Sequence, residues 1–367
     1  MRFTIHAGFA LCLSFIPNCR VAGKIIFSEA ILQLRSLKCA RYSAQGLELA
    51  YGIIVYMRTI VSIDIGGTQL RAASYKQEQS PFTQKRVKTK ASEPDTFGRL
   101  VKLIEDIWPE KEKVDAIGVS SPGPLDPHMG IIMSPPNIKE WRDFPITAKL
   151  TKHFGVPAYL DNDANLAGLA EWKFGAGRGH HNVLYLTIST GVGGGVIIND
   201  RLLQGYHGLA AELGHITLQA DGPLCGCGQH GHLESFSSGT GIERFVAEQL
   251  KAGRESVLHP DKKNSAHDIS EAAKQGDALS IEAYEAAGKY LGIGVANFLH
   301  AFDPSIVIFG GGVSQSGPLL FDAFSVSLKE HVIHPRYLEG LVITKAELGD
   351  DSGLLGARAL AELRLDS

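Results

Sequence analysis

Cysteine is scarce in this chain and unevenly placed. Of five in 367 residues, Cys12, Cys19 and Cys39 fall in the first 56, while Cys225 and Cys227 stand one residue apart. A one-residue spacer strains a disulfide, and no other cysteine follows residue 39, so a bridge-stapled fold is excluded there. Long apolar runs are lacking too. The strongly apolar stretch near the start, residues 9–16, is far short of the ~20 needed to span a bilayer. The net charge of −3 gives no reason to expect a nucleic-acid partner. There is no G-x-x-x-x-G-K-[ST], which excludes a P-loop NTPase, and no G-x-G-x-x-G after a strand, which weighs against dinucleotide binding. Low-complexity segments and short repeats are absent as well.

What the chain has in excess is glycine, 41 residues with no G-x-y period, so the surplus belongs to particular loops. Apolar residues at 44% and charged residues at 20% are globular proportions, and the length suits two lobes around a cleft.

The first 56 residues differ from the rest. Arg2, Arg20, Lys24, Arg35, Lys38 and Arg41 against Glu29 and Glu48 give +4, which leaves −7 for the remainder. Arg2 before an apolar stretch resembles an export signal, yet no small-x-small cleavage site follows Ile16. A strand begins immediately after Met57. We expect residues 1–56 to lie outside the functional domain, with Met57 as the true start.

From Met57 the pattern alternates strand and helix, an α/β order. Strands are expected over 59–65, 70–75, 116–120, 158–160, 183–189, 195–198, 305–309 and 341–346. Helices are expected over 97–108, 146–154, 164–174, 239–250, 278–302 and 351–363. Residues 175–179, Gly-Ala-Gly-Arg-Gly, read as a hinge between a small lobe (57–176) and a large lobe (177–367), with the last helix packing back on the small one. Each lobe opens with a strand pair around glycines, as a duplicated unit would.

Three glycine turns follow strands. Asp64-Ile65-Gly66-Gly67-Thr68 offers backbone N–H groups free of Cβ crowding, a hydroxyl, and a carboxylate suited to hydrated Mg²⁺. Ser189-Thr190-Gly191-Val192-Gly193-Gly194-Gly195 repeats that chemistry between two strands. Gly310-Gly311-Gly312 stands at a third strand end, where α/β sheets present ligands. Together they predict a phosphate-bearing ligand. The crowded polar run Asp161-Asn162-Asp163-Ala164-Asn165 opens a helix; one side chain must cap it, which leaves Asp163 able to accept a hydroxyl proton. Thiolate and imidazole at tight spacing suit closed, structural tetrahedral zinc, from His215, Cys225, Cys227 and one of His230 or His232. Glu212 and Glu234 flank that loop and read as polyol-recognising carboxylates.

These features together resemble the ROK family of sugar kinases and repressors, in the actin-like ATPase superfamily, from Met57 to about Leu363. Asp64–Thr68 resembles its phosphate loop, residues 121–126 its Pro-Gly loop, and residues 162–165 its catalytic segment. Residues 212–215 match E-x-G-H, and residues 225–234 match C-x-C-G-x-x-G-C-x-E except that His232 replaces the third cysteine. Ala211 stands where glycine is usual. The resemblance implies a two-lobed actin-like (ribonuclease H-like) α/β fold with a central cleft and a zinc loop held by His215, Cys225, Cys227 and His232. It implies an ATP-dependent hexose kinase, glucose being the first candidate and N-acetylmannosamine, fructose, allose and N-acetylglucosamine the alternatives, with Asp163 as base. Asn137, Asn162, Asp163, Glu212, His215 and Glu234 would bind sugar. Asp64, Gly66, Gly67, Thr68, Thr190, Gly191, Gly193, Gly194, Gly311 and Gly312 would hold Mg²⁺-ATP. Family members that only sense sugar carry an N-terminal helix-turn-helix, which residues 1–56 do not resemble. A cytoplasmic homodimer or homotetramer, with no nucleic-acid or membrane partner, is the corresponding expectation.

Overall fold

The chain divides into Met1–Tyr56 and Met57–Ser367. The computed structural model describes residues 58–76, 80–90, 95–135 and 137–366, so the expectation for 1–56 lies outside the described residues.

Two five-stranded sheets organise the second unit. In the first, β1 (Thr59–Ile65) turns back through Gly66–Thr68 into antiparallel β2 (Gln69–Tyr75), which pairs with β3 (Thr83–Lys88). Helix α1 (Thr96–Glu105) follows, its first turn capped by Asp95 and its apolar face, Leu100, Leu103 and Ile104, buried on the sheet. Then come β4 (Val114–Ser121), parallel to β1, and the short hairpin β5 (Leu125–Asp126) and β6 (Ile131–Ile132). Helix α2 (Ile146–Phe154), β7 (Ala158–Asn162), parallel to β4, and helix α3 (Asp163–Phe174) complete this half. All of β1 is buried, the burial pattern of a central strand covered on both faces.

The second half repeats the plan. Strands β8 (Val183–Ile188), β9 (Val192–Ile198) and β10 (Arg201–Leu202) are antiparallel neighbours. A helical block follows: α4 (Leu233–Ser237), α5 (Gly239–Lys251), α6 (Ala266–Lys274) and α7 (Ala278–Phe302). Strand β11 (Ile306–Gly310) lies parallel to β8; after α8 (Pro318–His331), β12 (Val342–Lys345) lies parallel to β11, and α9 (Ser352–Leu365) ends the chain. The spatial orders are β3-β2-β1-β4-β7 and β10-β9-β8-β11-β12. Each sheet therefore reads third, second, first, fourth, fifth along its own half.

The halves exchange their last helices. Helix α3 leaves the first sheet and packs on β8 and β9, while α9 leaves the second sheet and packs on β4 and β1. The two helices also pack on each other through Leu166, Leu169, Ala357 and Leu360. Gly118 admits the Ala357 backbone and Gly356 admits that of Leu166, approaches that a Cβ would block. Buried Glu171 of α3 accepts hydrogen bonds from Ala176 N (3.0 Å) and Leu348 N (2.9 Å), one from each chain crossing between the halves.

Two local expectations need correction. Residues 189–195 do not form one loop: β9 starts at Val192 and contains Gly193, Gly194 and Gly195. The short polar strand β3 escapes periodicity because five of its six residues are exposed, the composition of a protected edge. Among the described residues, no helix is long and apolar enough to cross a membrane.

Candidate active site

The junction of β7 and α3 is built for exposing one carboxylate. Asn162 takes the N-cap position with extended backbone, and its Oδ1 accepts the Ala164 N–H at 2.9 Å. That frees Asp163, the first helical residue, from having to cap; its own Oδ1 shares the same N–H at 2.8 Å. Asp163 faces a cavity of about 570 Å³ between the two halves. The residue as a whole is solvent-exposed, although protein atoms crowd the carboxylate from behind. Desolvation first, and then the negative charges of Asp64 and Glu212, together raise its pKa from 3.8 to about 6. A carboxyl with a pKa near the working pH suits proton transfer.

The cavity brings together Asp64, Gly66, Asn162, Asp163, Thr190, Gly191, Gly193, Gly194, Glu212 and Glu234. At the first turn, Gly66 N donates to Gln69 O at 2.9 Å. Its N–H is thus consumed within the turn, and Gly66 can give a ligand close approach but not that donor. Gly67, Thr68 and Asn137 lie outside the cavity walls; a Cβ on Gly67 would collide with the Asn137 amide. Asp64 Oδ2 accepts two bonds from Arg71, at 2.6 and 3.0 Å, and Arg71 also donates to Asp350 O at 2.6 Å.

The second turn is reduced to Ser189, Thr190 and Gly191. Gly193, Gly194 and Gly195 are packing positions, where a Cβ would meet Ala164, Leu213 and the backbone of Ala164 and Asn165 respectively. A second cavity of about 460 Å³ meets the first at Ser189 and Thr190, and its walls include Glu243, His267, Lys274, Gln315 and Gly312. Gly311 sits behind this wall with φ +84° and packs against the Ile188 backbone.

Geometry brings together four residues that could hold a metal ion. His215 Nδ1 lies 3.7 Å from Cys225 Sγ, and His232 Nδ1 lies 3.3 Å from Cys227 Sγ. The four donor atoms all fall within 4.8 Å of one another. A tetrahedral ion with bonds of about 2.0–2.3 Å needs ligand separations of about 3.3–3.8 Å, so the cluster fits. His230 is excluded, because it is exposed and its Nδ1 pairs with Gly222 O at 2.9 Å. His215 is not a cavity wall residue; its ring is turned to Cys225. Without a cation, burial pushes the Cys225 thiol up to about 12, and it donates to Glu234 Oε1 at 3.2 Å. Glu234 Oε2 accepts the Val192 N–H at 3.0 Å, which ties the cluster to the turn at Gly191.

Sequence reasoning missed several wall residues. Arg71, the only cationic side chain among those lining the first cavity, carries no motif signature. Leu209, Ser352 and Gly353 also line it and reach it only through the fold.

Residues 60–364 match the ROK family. A glucokinase from Thermotoga maritima is 33% identical over 83% of this chain and 98% of its own length. The crystal structure of a ROK hexokinase from Thermus thermophilus superposes with a TM-score of 0.73 at 34% identity, covering 84% of this chain and 99% of that one. A ROK family glucokinase from Streptomyces griseus, in complex with glucose and AMPPNP, gives a TM-score of 0.67 at 33% identity, covering 84% and 99%.

Proposed function

The chain belongs to the ROK family, and on that premise we propose that it transfers the γ-phosphoryl group of ATP to a hexose, with the 6-hydroxyl of glucose as acceptor. The observation that carries this reading is the Asp163 carboxylate, its pKa raised to about 6, facing the cavity shared by the turns at Gly66 and Gly191. Asp163 accepts the hydroxyl proton as that oxygen attacks phosphorus. Asn162, Glu212 and Glu234 orient the sugar. Asn137, beside Gly67, and His215, beside Cys225, are the remaining sugar-binding candidates, set back from the cavity walls. The phosphates lie along Gly66, Thr190 and Gly191, and the nucleoside occupies the adjoining cavity beside Gly312. Phosphoryl transfer draws mainly on positioning and charge neutralisation. Mg²⁺, which Asp64 would hold, would supply part of that neutralisation, and Arg71 fixes the Asp64 carboxylate through Oδ2.

His215, Cys225, Cys227 and His232 would hold Zn²⁺ as a closed structural ion that fixes Glu234. Closure of the small and large lobes about residues 175–179 would exclude water, the competing acceptor. The ATP requirement points to a cytoplasmic location. A coupled ADP-release assay with glucose, N-acetylmannosamine, fructose, allose and N-acetylglucosamine tests the reading. Sugar-dependent ADP release greatest with glucose is expected. Hexose binding without turnover would make the chain a sugar sensor.

A further inference from the structure

The loop at the acceptor end of the cavity is fastened by one side chain. Residues 203–211 leave β10 and end at Glu212, and Gly208, Leu209, Ala210 and Ala211 line the cavity on the way. The root closes on Gln204, whose carbonyl accepts the Ala210 N–H at 3.0 Å. Beyond the root, Gly208 is buried against Pro127 and Ala211 packs on the core, but no side-chain hydrogen bond is seen within the described residues 205–211. Gly205, Gly208 and Ala211 all have left-handed backbone, and Tyr206 is 92% exposed.

The Gln204 side chain runs the other way. Its Nε2 donates to Asp161 Oδ2 at 2.5 Å, and its Oε1 accepts from Arg364 of α9 at 2.8 Å. Asp161 is fully buried at the end of β7, two residues before Asp163. Its Oδ1 accepts the Asn162 N–H at 2.8 Å and the Asn165 amide at 3.1 Å. One buried carboxylate therefore holds the backbone of Asn162, the first turn of α3 and the root of the acceptor loop.

We propose that Gln204 and Asp161 form a latch that fixes the loop carrying Leu209–Glu212 relative to Asp163, and so sets the width of the hexose subsite. Both are positioning residues; neither lines the cavity. The proposal rests on the hexose-kinase reading of this cavity. Loss of the latch lets the loop move on its glycines while the phosphate turns and the nucleoside cavity stay in place, so the defect falls on the acceptor alone.

The test is steady-state kinetics of the full chain with glucose as acceptor, for wild type, Gln204→Leu, Asp161→Asn and the double variant. Gln204→Leu should raise the glucose KM by about tenfold, the usual loss of a hydrogen bond to a buried charge, with the KM for ATP within twofold. The two substitutions should be strongly non-additive, Gln204→Leu adding little once Asp161 is altered. Equal increases in both KM values, or fully additive effects, would mean general loosening and overturn the latch. An unchanged glucose KM in Gln204→Leu would overturn it too. If Asp161→Asn does not fold, the split between the two KM values in Gln204→Leu still decides. A wild-type protein that phosphorylates no hexose removes the parent reading and the latch with it, an outcome distinct from a working kinase indifferent to Gln204.

Discussion

Asp163 should impose an acid limb on the reaction. With its pKa raised to about 6, about half of the carboxyl groups are ionised at pH 6 and about a tenth at pH 5. Activity should therefore rise by about tenfold between pH 5 and 7.5 and then level off. Asp163→Asn removes the proton acceptor while keeping shape and a hydrogen-bonding oxygen, so kcat should fall by about 10²–10⁴, equivalent to about 2.7–5.4 kcal/mol of barrier. The glucose KM should change little, and the acid limb should vanish. Stability gives an independent check. A carboxyl whose folded pKa lies above its unfolded value of 3.8 resists ionisation in the native state. Its contribution to folding is thus lost as pH rises from about 4 to about 6. Asp163→Asn should raise Tm at pH 7–8 and leave it unchanged near pH 3.5, the gain at pH 7–8 being reduced by solvent screening because the residue is exposed. Stopped assays from pH 5 to 8, with thermal unfolding at the same pH values, provide both readouts. A variant within threefold of wild type, or a wild-type rate flat from pH 5 to 7.5, would refute the argument.

If the four-residue cluster holds zinc as proposed, Cys227→Ser should lower the zinc content found by elemental analysis of the purified protein and raise the hexose KM through Glu234; wild-type protein free of zinc would remove this expectation. Ala211 has φ +66°, a left-handed conformation that costs a non-glycine residue about 1 kcal/mol or more. Ala211→Gly should relieve that strain, seen in chemical denaturation as a higher midpoint, and an Ala211→Val variant should move the midpoint the opposite way.

Much of the site was legible because its chemistry restricts residue type. A carboxylate at a strand-to-helix junction, Asp163, and a Cys-x-Cys beside histidines, Cys225 to His232, admit few structural excuses, and the fold brings each group together. The glycines were ambiguous in kind. Gly66, Gly191, Gly193 and Gly194 border the cavity, but Gly193 and Gly194 also make room for Ala164 and Leu213, and Gly195, Gly118 and Gly356 serve packing alone. A missing Cβ serves a phosphate and a packed backbone equally well, so composition alone cannot separate them. The helix exchange did leave a trace. Residues Ala164–Glu171 of α3 and Gly353–Ala361 of α9 are buried all round, and a helix with no polar stripe must be covered on every side. That property points to a position between two sheets rather than on one. Asn165, Glu171 and Arg358 are the polar residues within these stretches, and the partners of Glu171 explain its full burial: the Ala176 and Leu348 N–H groups belong to the two segments by which the chain passes from one half to the other. An acid buried in a helix rich in small residues marks the point where both crossings are pinned.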